Sequence, residues 1–218
     1  MRSSRPKRVL KRWIGSTFLR ATGWRMDGVR PAVDRYVIIA APHTSNWDMP
    51  FMLAMAFVYD IPVRWMGKHT LFSPPFGVLL KRLGGIPIVR DQPGGVVGQM
   101  VDYFKDNESL VLMVPAEGTR SHVEYWKSGF YHIARAADVP VILSYLDFEK
   151  KVGGIGPSLQ LTGDIHADMD KIRAFYAGIQ GLRPQNVGVI RLREEDVEAV
   201  VAHDAADPAE IERLAGNL

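Results

Sequence analysis

Residues 36–59 read YVIIAAPHTSNWDMPFMLAMAFVY, and this stretch decides the fold class. Its first part, Tyr36–Ala41, is a short apolar run closed by Pro42, which is typical of a buried strand. Its last part, Asp48–Tyr59, has the length and composition of a helix, and Asp48 lies where the positive end of a helix dipole favours an acid. A buried strand that leads through a short loop into a helix is the basic unit of an α/β protein.

The same alternation continues along the chain. Further strands are predicted at Val63–Met66, Ile86–Val89, Leu110–Val114, Val139–Leu146 and Ser158–Thr162. Helical segments are predicted at Pro75–Arg82, Val96–Lys105, Lys127–Ala137, Met169–Ile179 and Asp196–His203. The glycine-rich residues 153–157 are interpreted as a loop. We therefore expect an α/β fold with a mixed, largely parallel sheet that is flanked by helices.

The composition excludes several kinds of site. The 218 residues include no cysteine, so disulfides, thiolate metal sites and a cysteine nucleophile are excluded. No Gly-x-Ser-x-Gly sequence is present, which disfavours the usual serine esterase. The histidines show no zinc-binding spacing, and no dinucleotide-binding or P-loop motif occurs. We therefore expect neither a metal site nor a bound cofactor.

The first 30 residues form a strongly basic segment, called here the N-terminal arm. It contains nine Lys or Arg and one acid, whereas the rest of the chain contains 18 basic and 23 acidic side chains. Its apolar residues recur at spacings of three to four, which predicts an amphipathic helix with a stripe of Val9, Leu10, Trp13, Ile14, Thr17, Phe18 and Ala21. A basic helix of this kind suits the surface of an anionic membrane. The alternatives are a helix that only packs on the domain and an arm that binds nucleic acid, although no nucleic-acid-binding motif supports the second.

The sequence predicts a protein that lies on a membrane without crossing it. The longest apolar run outside the arm, Met49–Tyr59, is much shorter than the ~20 residues that span a bilayer. This run is either a buried helix or a shallow membrane contact. No secretory signal is visible after the basic start. We therefore expect a peripheral protein at the cytoplasmic face of the cell membrane, with a membrane-contact arm at residues 1–30 and a catalytic domain at residues 31–218.

Two residues between the predicted strand and helix carry candidate chemistry. His43 follows the strand directly, and Asp48 lies five residues later at the start of the helix. The turn between them allows the carboxylate to fold back onto one ring nitrogen, so that the other nitrogen accepts a proton. A substrate hydroxyl then acts as the nucleophile, which is the chemistry of direct acyl transfer. The His-x4-Asp spacing is weak evidence on its own because it often arises by chance.

Two further segments carry candidate anion-binding residues. Residues 84–90 (GGIPIVR) end in Arg90, which suits a phosphate or carboxylate, although a surface pair with Asp91 is the alternative. Lys68 is a candidate second cation for the same anion. Residues 115–121 (PAEGTRS) follow a predicted strand directly and combine charge, a flexible backbone and hydroxyls.

These segments, in this order and together with the apolar Val139–Ile142, resemble the 1-acyl-sn-glycerol-3-phosphate acyltransferase family. The resemblance runs from about Ala40 to Leu146, roughly half of the chain. It implies an α/β fold and transfer of a fatty acyl group from acyl-CoA or acyl-carrier protein to a lysophospholipid hydroxyl, with 1-acyl-sn-glycerol-3-phosphate giving phosphatidic acid. It also implies that His43 is the general base and Asp48 its orienting partner. The residues it implies for binding the phosphate-bearing acceptor are Lys68, Arg90, Glu117, Gly118, Thr119 and Arg120.

Three positions depart from the family pattern. Pro42 stands where Asn often precedes the histidine, Val89 replaces an acid, and Ala116 replaces a proline. These departures leave the catalytic pair intact but weaken the assignment of the acceptor. One alternative is therefore an acyltransferase or transacylase that acts on another lysolipid or a glycolipid. The other is a catalytically silent membrane-binding scaffold.

Overall fold

The computed structural model describes residues 5–89 and 95–196. Within these residues seven strands form one sheet, and six α-helices lie on its two sides. The strands are β1 (Arg25–Asp27), β2 (Arg35–Ala41), β3 (Val63–Lys68), β4 (Gly85–Ile88), β5 (Leu110–Val114), β6 (Val141–Asp147) and β7 (Val152–Leu159). The helices are α1 (Arg5–Ala21), α2 (Asp48–Tyr59), α3 (Gly77–Arg82), α4 (Gly95–Lys105), α5 (Gly129–Ala136) and α6 (Ile165–Tyr176). Short 3-10 turns lie at His69–Phe72 and Pro184–Asn186.

The sheet has the order β1-β7-β6-β2-β5-β3-β4, so β2 lies at its centre. Neighbouring strands pair in parallel, except that β6 and β7 are antiparallel. The expected α/β fold with a mixed, largely parallel sheet is therefore confirmed. The carboxyl ends of β2, β3 and β5 meet at one edge of the sheet, which is where ligands bind in open α/β folds.

Each face of the sheet has its own apolar core, because side chains alternate along a strand. On one face, α4, α5 and α6 pack around Ile39 and Leu112. On the other face, α2 packs around Ile38 and Val111. Asp48–Tyr59 is thus a buried helix, the first of the two interpretations of this apolar run.

The helix of the N-terminal arm packs on α2 through a narrow contact. A Cβ atom on Gly15 would lie only 2.4 Å from the carbonyl oxygen of Ala54, so this close approach requires glycine. Leu19 is buried in the same contact, and Arg8 pairs with Asp60 at 3.0 Å. Gly15 and Leu19 lie outside the predicted apolar stripe, of which only Phe18 is partly buried. Its first four large residues remain 46–65% exposed: Val9, Leu10, Trp13 and Ile14.

The largest difference from the sequence-based expectation lies at residues 152–159. The glycine-rich residues 153–157 belong to strand β7 and are not a loop, and the strand predicted at Ser158–Thr162 ends instead at Leu159. A Cβ on Gly154 would lie 1.9 Å from the carbonyl oxygen of Asp27 in β1. The glycine therefore permits the close approach of two strands. In the sequence alone, the same glycines indicate a flexible loop.

Several expectations lie outside the described residues or stay untested. Arg90 is outside the described residues, and so is all of the predicted late helix Asp196–His203 except Asp196. The division at residue 30 stays a prediction, and β1, which pairs with β7, lies within the arm as it was defined. None of the helices in the described ranges is long and apolar enough to cross a bilayer.

Candidate active site

His43 lies just beyond the carboxyl end of β2, in a tight loop that ends at α2. Its Nδ1 atom is 3.0 Å from Oδ2 of Asp48, the first residue of that helix. Its side chain is 19% exposed, and Nε2 makes no hydrogen bond to any described residue. One ring nitrogen therefore faces a buried carboxylate, and the other is available to a substrate.

Asp48 holds both the ring and the loop. It is 1% exposed, and its Oδ2 atom also accepts hydrogen bonds from the backbone N–H groups of Thr44 and Ser45, each at 2.9 Å. Because an ionised carboxylate only accepts hydrogen bonds, Nδ1 of His43 is the donor, and Nε2 of the neutral ring is left as the proton acceptor. The position of Asp48 at the amino end of α2 also stabilises its negative charge.

Glu117 supports the same loop from the neighbouring strand β5. It follows β5, is 2% exposed, and its Oε1 atom accepts a hydrogen bond of 2.8 Å from the backbone N–H of His43. Burial raises the pKa of the Glu117 carboxyl above its ordinary value, and the His43 N–H partly opposes this. The nearby Asp48 charge raises it further. Neither Oε2 of Glu117 nor Oδ1 of Asp48 has a partner among the described residues.

The residues after Glu117 form an exposed turn. Gly118 has a φ of 68°, and a Cβ there would lie 2.9 Å from Cγ of Lys127, so both the conformation and the space favour glycine. Thr119 and Arg120 are exposed. The structure thus places the Gly118–Arg120 turn next to the Glu117 carboxylate that contacts the His43 loop.

Lys68 and Arg90 are the other two predicted anion-binding residues. Lys68 is exposed at the carboxyl end of β3, which lies two strand spacings, about 10 Å, from β2. Arg90, two residues after β4, is outside the described part of the chain. In residues 5–89 and 95–196, no group of three His, Asp or Glu side chains is arranged to hold a metal ion.

A segment near the end of the described residues also contacts the site, and sequence reasoning missed it. We call residues 179–192 the strap segment. The backbone N–H of Arg183 donates to Oγ1 of Thr44 at 3.2 Å, and Nδ2 of Asn186 donates to the carbonyl oxygen of Arg120 at 2.9 Å. The partners are separated by 139 and 66 residues, so no local pattern indicates either contact.

An apolar cavity lies between α2 and the sheet. Its wall includes Ala41 and Pro42, which precede His43 directly, and Met52 and Met55 of α2. The apolar lining is suited to a hydrocarbon chain.

The sequence comparisons assign a family to this arrangement. A family model described as Acyltransferase matches residues 25–144, more than half of the chain. The chain belongs to the acyltransferase family. The protein is therefore an acyltransferase enzyme, and the resemblance drawn from its motifs is confirmed. The matched range contains His43, Asp48 and the turn after Glu117, whereas the strap segment lies beyond it.

Among solved structures, this acyltransferase is similar to the 1-acyl-sn-glycerophosphate (LPA) acyltransferase PlsC from Thermotoga maritima. The two share 17% sequence identity, with a TM-score of 0.55 over 82% of this chain and 83% of that chain. At this identity the similarity shows a shared fold. No curated protein sequence matches the acyltransferase.

Proposed function

We propose that this acyltransferase moves a fatty acyl group from a thioester, either acyl-CoA or acyl-carrier protein, to the hydroxyl of a lysophospholipid. The observation that carries the proposal is the 3.0 Å contact between His43 and the buried Asp48. The loop offers no nucleophile of its own, because the hydroxyls of Thr44 and Ser45 are buried and accept hydrogen bonds from Arg183 and Trp47 backbone N–H groups. The acceptor hydroxyl therefore supplies the attacking oxygen.

In the proposed reaction, Nε2 of His43 removes the proton from the acceptor hydroxyl as its oxygen attacks the thioester carbonyl carbon. A new C–O bond forms, and the negative charge of Asp48 stabilises the positively charged imidazole ring. The tetrahedral intermediate then collapses, the C–S bond breaks, and the thiol leaves with the proton returned from Nε2. The products are the acylated lipid and free thiol, and His43 is again neutral.

The cavity beneath α2 supports the proposed site for the acyl chain. Its wall includes Pro42, which precedes the proposed base directly, and most of its lining residues are apolar. In the proposed complex the acyl chain lies in this cavity, and its thioester carbonyl reaches Nε2 of His43. The methionines Met52 and Met55 give this wall adaptable side chains.

The acceptor is assigned to the exposed cations that follow β3 and β5. Lys68 and Arg120 are exposed and make no ion pair with a described residue, and Gly118 and Thr119 supply backbone and hydroxyl groups. Together with Arg90 these residues form the proposed binding site for the acceptor phosphate. The name of PlsC, an LPA acyltransferase, favours lysophosphatidic acid as the acceptor and phosphatidic acid as the product. The buried Glu117 carboxylate contributes by holding the backbone of His43.

Membrane association of the enzyme is proposed through α1. The exposed residues Val9, Leu10, Trp13 and Ile14 lie on a helix that also carries Lys7 and Arg12 in exposed positions. Such a helix suits the headgroup region of an anionic bilayer, and we propose that it holds the site at the cytoplasmic face of the cell membrane.

Release of free thiol from acyl-CoA, measured with and without added lysolipid, tests the proposed function. We expect lysolipid-dependent release that falls about 10²–10⁴-fold in His43→Ala, the contribution of a positioned general base. The matched control is His132→Ala, because His132 is an exposed histidine on α5. Unchanged turnover in His43→Ala would exclude this mechanism, and the absence of lysolipid-dependent release would favour a silent scaffold. A panel of lysolipids with and without a phosphate identifies the acceptor.

A further inference from the structure

Residues 71–79 form an exposed apolar surface, called here the α3 patch. Leu71, Phe76, Val78 and Leu79 are each more than half exposed to solvent. Isolated apolar side chains are common on protein surfaces, but four large ones within nine residues mark a contact surface. Neither the proposed base nor the proposed acceptor site uses any of them.

The chain around the α3 patch is purely basic. Between Asp60 and Asp91 there is no acidic residue, and the Lys and Arg residues in this range are Arg64, Lys68, Lys81, Arg82 and Arg90. Lys81 and Arg82 follow the patch directly and make no ion pair with a described residue. The charge of the patch surroundings is therefore complementary to a negatively charged partner.

The α3 patch lies on the same side of the sheet as α1 and α2. Val63 of β3 belongs to the core beneath α2, so Trp65, two residues along the strand, faces the same side. The ring of Phe72 packs against Trp65 with a centroid distance of 5.9 Å. A right-handed connection from β3 through α3 to β4 requires the same placement. The patch and the exposed apolar residues of α1 therefore share one side of the molecule.

We propose that the α3 patch is a second bilayer-contacting surface, which together with α1 places the active site against an anionic membrane. A bilayer covers both apolar surfaces at once, whereas a small acidic protein such as an acyl-carrier protein covers one. The 3-10 turn that carries Leu71 begins at the carboxyl end of β3, on the same sheet edge as His43. The choice of lipid as the partner rests on the proposed function, but the exposed surface does not depend on it.

Sedimentation with lipid vesicles tests the proposal. The probe is vesicles of phosphatidylcholine and phosphatidylglycerol in equal parts, and the variant is the double substitution Phe76→Ser/Leu79→Ser. We expect vesicle partitioning to fall about tenfold or more, because two large apolar side chains no longer leave water on binding. The matched control is Tyr103→Ser, which removes an exposed apolar residue from α4 on the opposite face, and we expect no change.

The basic residues are tested separately. Lys81→Ala/Arg82→Ala should weaken binding to the same vesicles by about fivefold for each charge and leave the weaker binding to pure phosphatidylcholine unchanged. The melting temperature of every variant should stay close to that of the original protein, because the substituted side chains are exposed.

The outcomes separate this proposal from the proposed function. Unchanged vesicle binding by Phe76→Ser/Leu79→Ser overturns the proposal. Unchanged vesicle binding combined with slower transfer from acyl-carrier protein overturns it in favour of a protein-docking surface. If the patch is needed for vesicle binding but the protein transfers no acyl group to a water-soluble, short-chain lysolipid, the membrane surface stands and the proposed function fails.

Discussion

The substitution Asp48→Asn separates the charge of the Asp48 carboxylate from its hydrogen bonds. Oδ2 of Asp48 accepts hydrogen bonds from the backbone N–H groups of Thr44 and Ser45 and from His43. These donors require the asparagine to place its amide oxygen at the same position and its nitrogen at the position of Oδ1. Because Oδ1 has no partner among the described residues, this arrangement breaks no observed hydrogen bond. The geometry is therefore kept while the negative charge is removed.

The missing charge matters in the transition state, when His43 becomes positive. Two unit charges 3.0 Å apart interact by about 5 kcal/mol at an effective dielectric constant of ~20. The amide dipole of asparagine retains part of this, so we expect a loss of about 3–4 kcal/mol, or about 10²–10³-fold in kcat. KM should change little, because the interaction is stronger in the transition state than in the bound substrate.

The assay is thiol release from a single acyl-CoA at varied lysolipid concentration, which gives kcat and KM separately. Asp60→Asn is the matched control, because Asp60 is an exposed aspartate that pairs with Arg8. In a His43→Ala background, Asp48→Asn should cause no further loss, since its effect acts through the ring. A kcat within about threefold of the original enzyme, or a full additional loss in the His43→Ala background, would refute this reasoning.

Three further predictions concern the supports of the site and its cavity. Burial raises the pKa of Glu117 above 4.5, so the folded protein holds this proton more tightly than the unfolded chain and loses stability as the pH rises past 4.5. The difference in melting temperature between Glu117→Gln and the original protein should therefore increase as the pH rises above 4.5. A difference that does not change with pH would contradict a buried carboxylate at this position. Asn186→Ala removes the 2.9 Å hydrogen bond to Arg120 and should lower kcat/KM about three- to tenfold for phosphate-bearing acceptors, with a smaller effect on phosphate-free ones. Met52→Trp should shift the preference from long to short acyl-CoA, and an unchanged chain-length profile would exclude this cavity as the acyl site.

Local sequence patterns predicted the part of the fold that surrounds His43. The strand before it was predicted to within one residue, and α2 was predicted with its observed bounds. Both succeed because β2 is buried along nearly its whole length and no residue of α2 is fully exposed, so the apolar pattern is visible without knowledge of the partner. The loop between them then has little freedom, and the His43–Asp48 contact follows from the spacing.

Long-range packing explains what the sequence did not predict. β1 has only three residues, and its partner in β7 was interpreted as a loop. Glycine occurs both in flexible loops and where two strands approach closely, and the local sequence does not distinguish them. The hydrogen bond from His43 N–H to Glu117 joins residues 74 apart, so no local pattern indicated it. The acceptor-binding role that the resemblance implied for Glu117 stays a prediction. The contacts of the strap segment left no local signal for the same reason.

The loop that carries His43 is held by Asp48, Glu117 and the strap segment, which lie in different parts of the chain. Asp48 and Glu117 lie within the family-matched residues 25–144, whereas the strap segment lies beyond them. The strap segment contacts the hydroxyl of Thr44 and the carbonyl of Arg120, and it makes no contact with the ring of His43 through these bonds. A substitution in the strap segment therefore changes the proposed acceptor side while two supports of the base remain. We accordingly expect differences in acceptor among acyltransferases of this fold to arise in the strap segment and the turn after Glu117, with the His43–Asp48 pair unchanged.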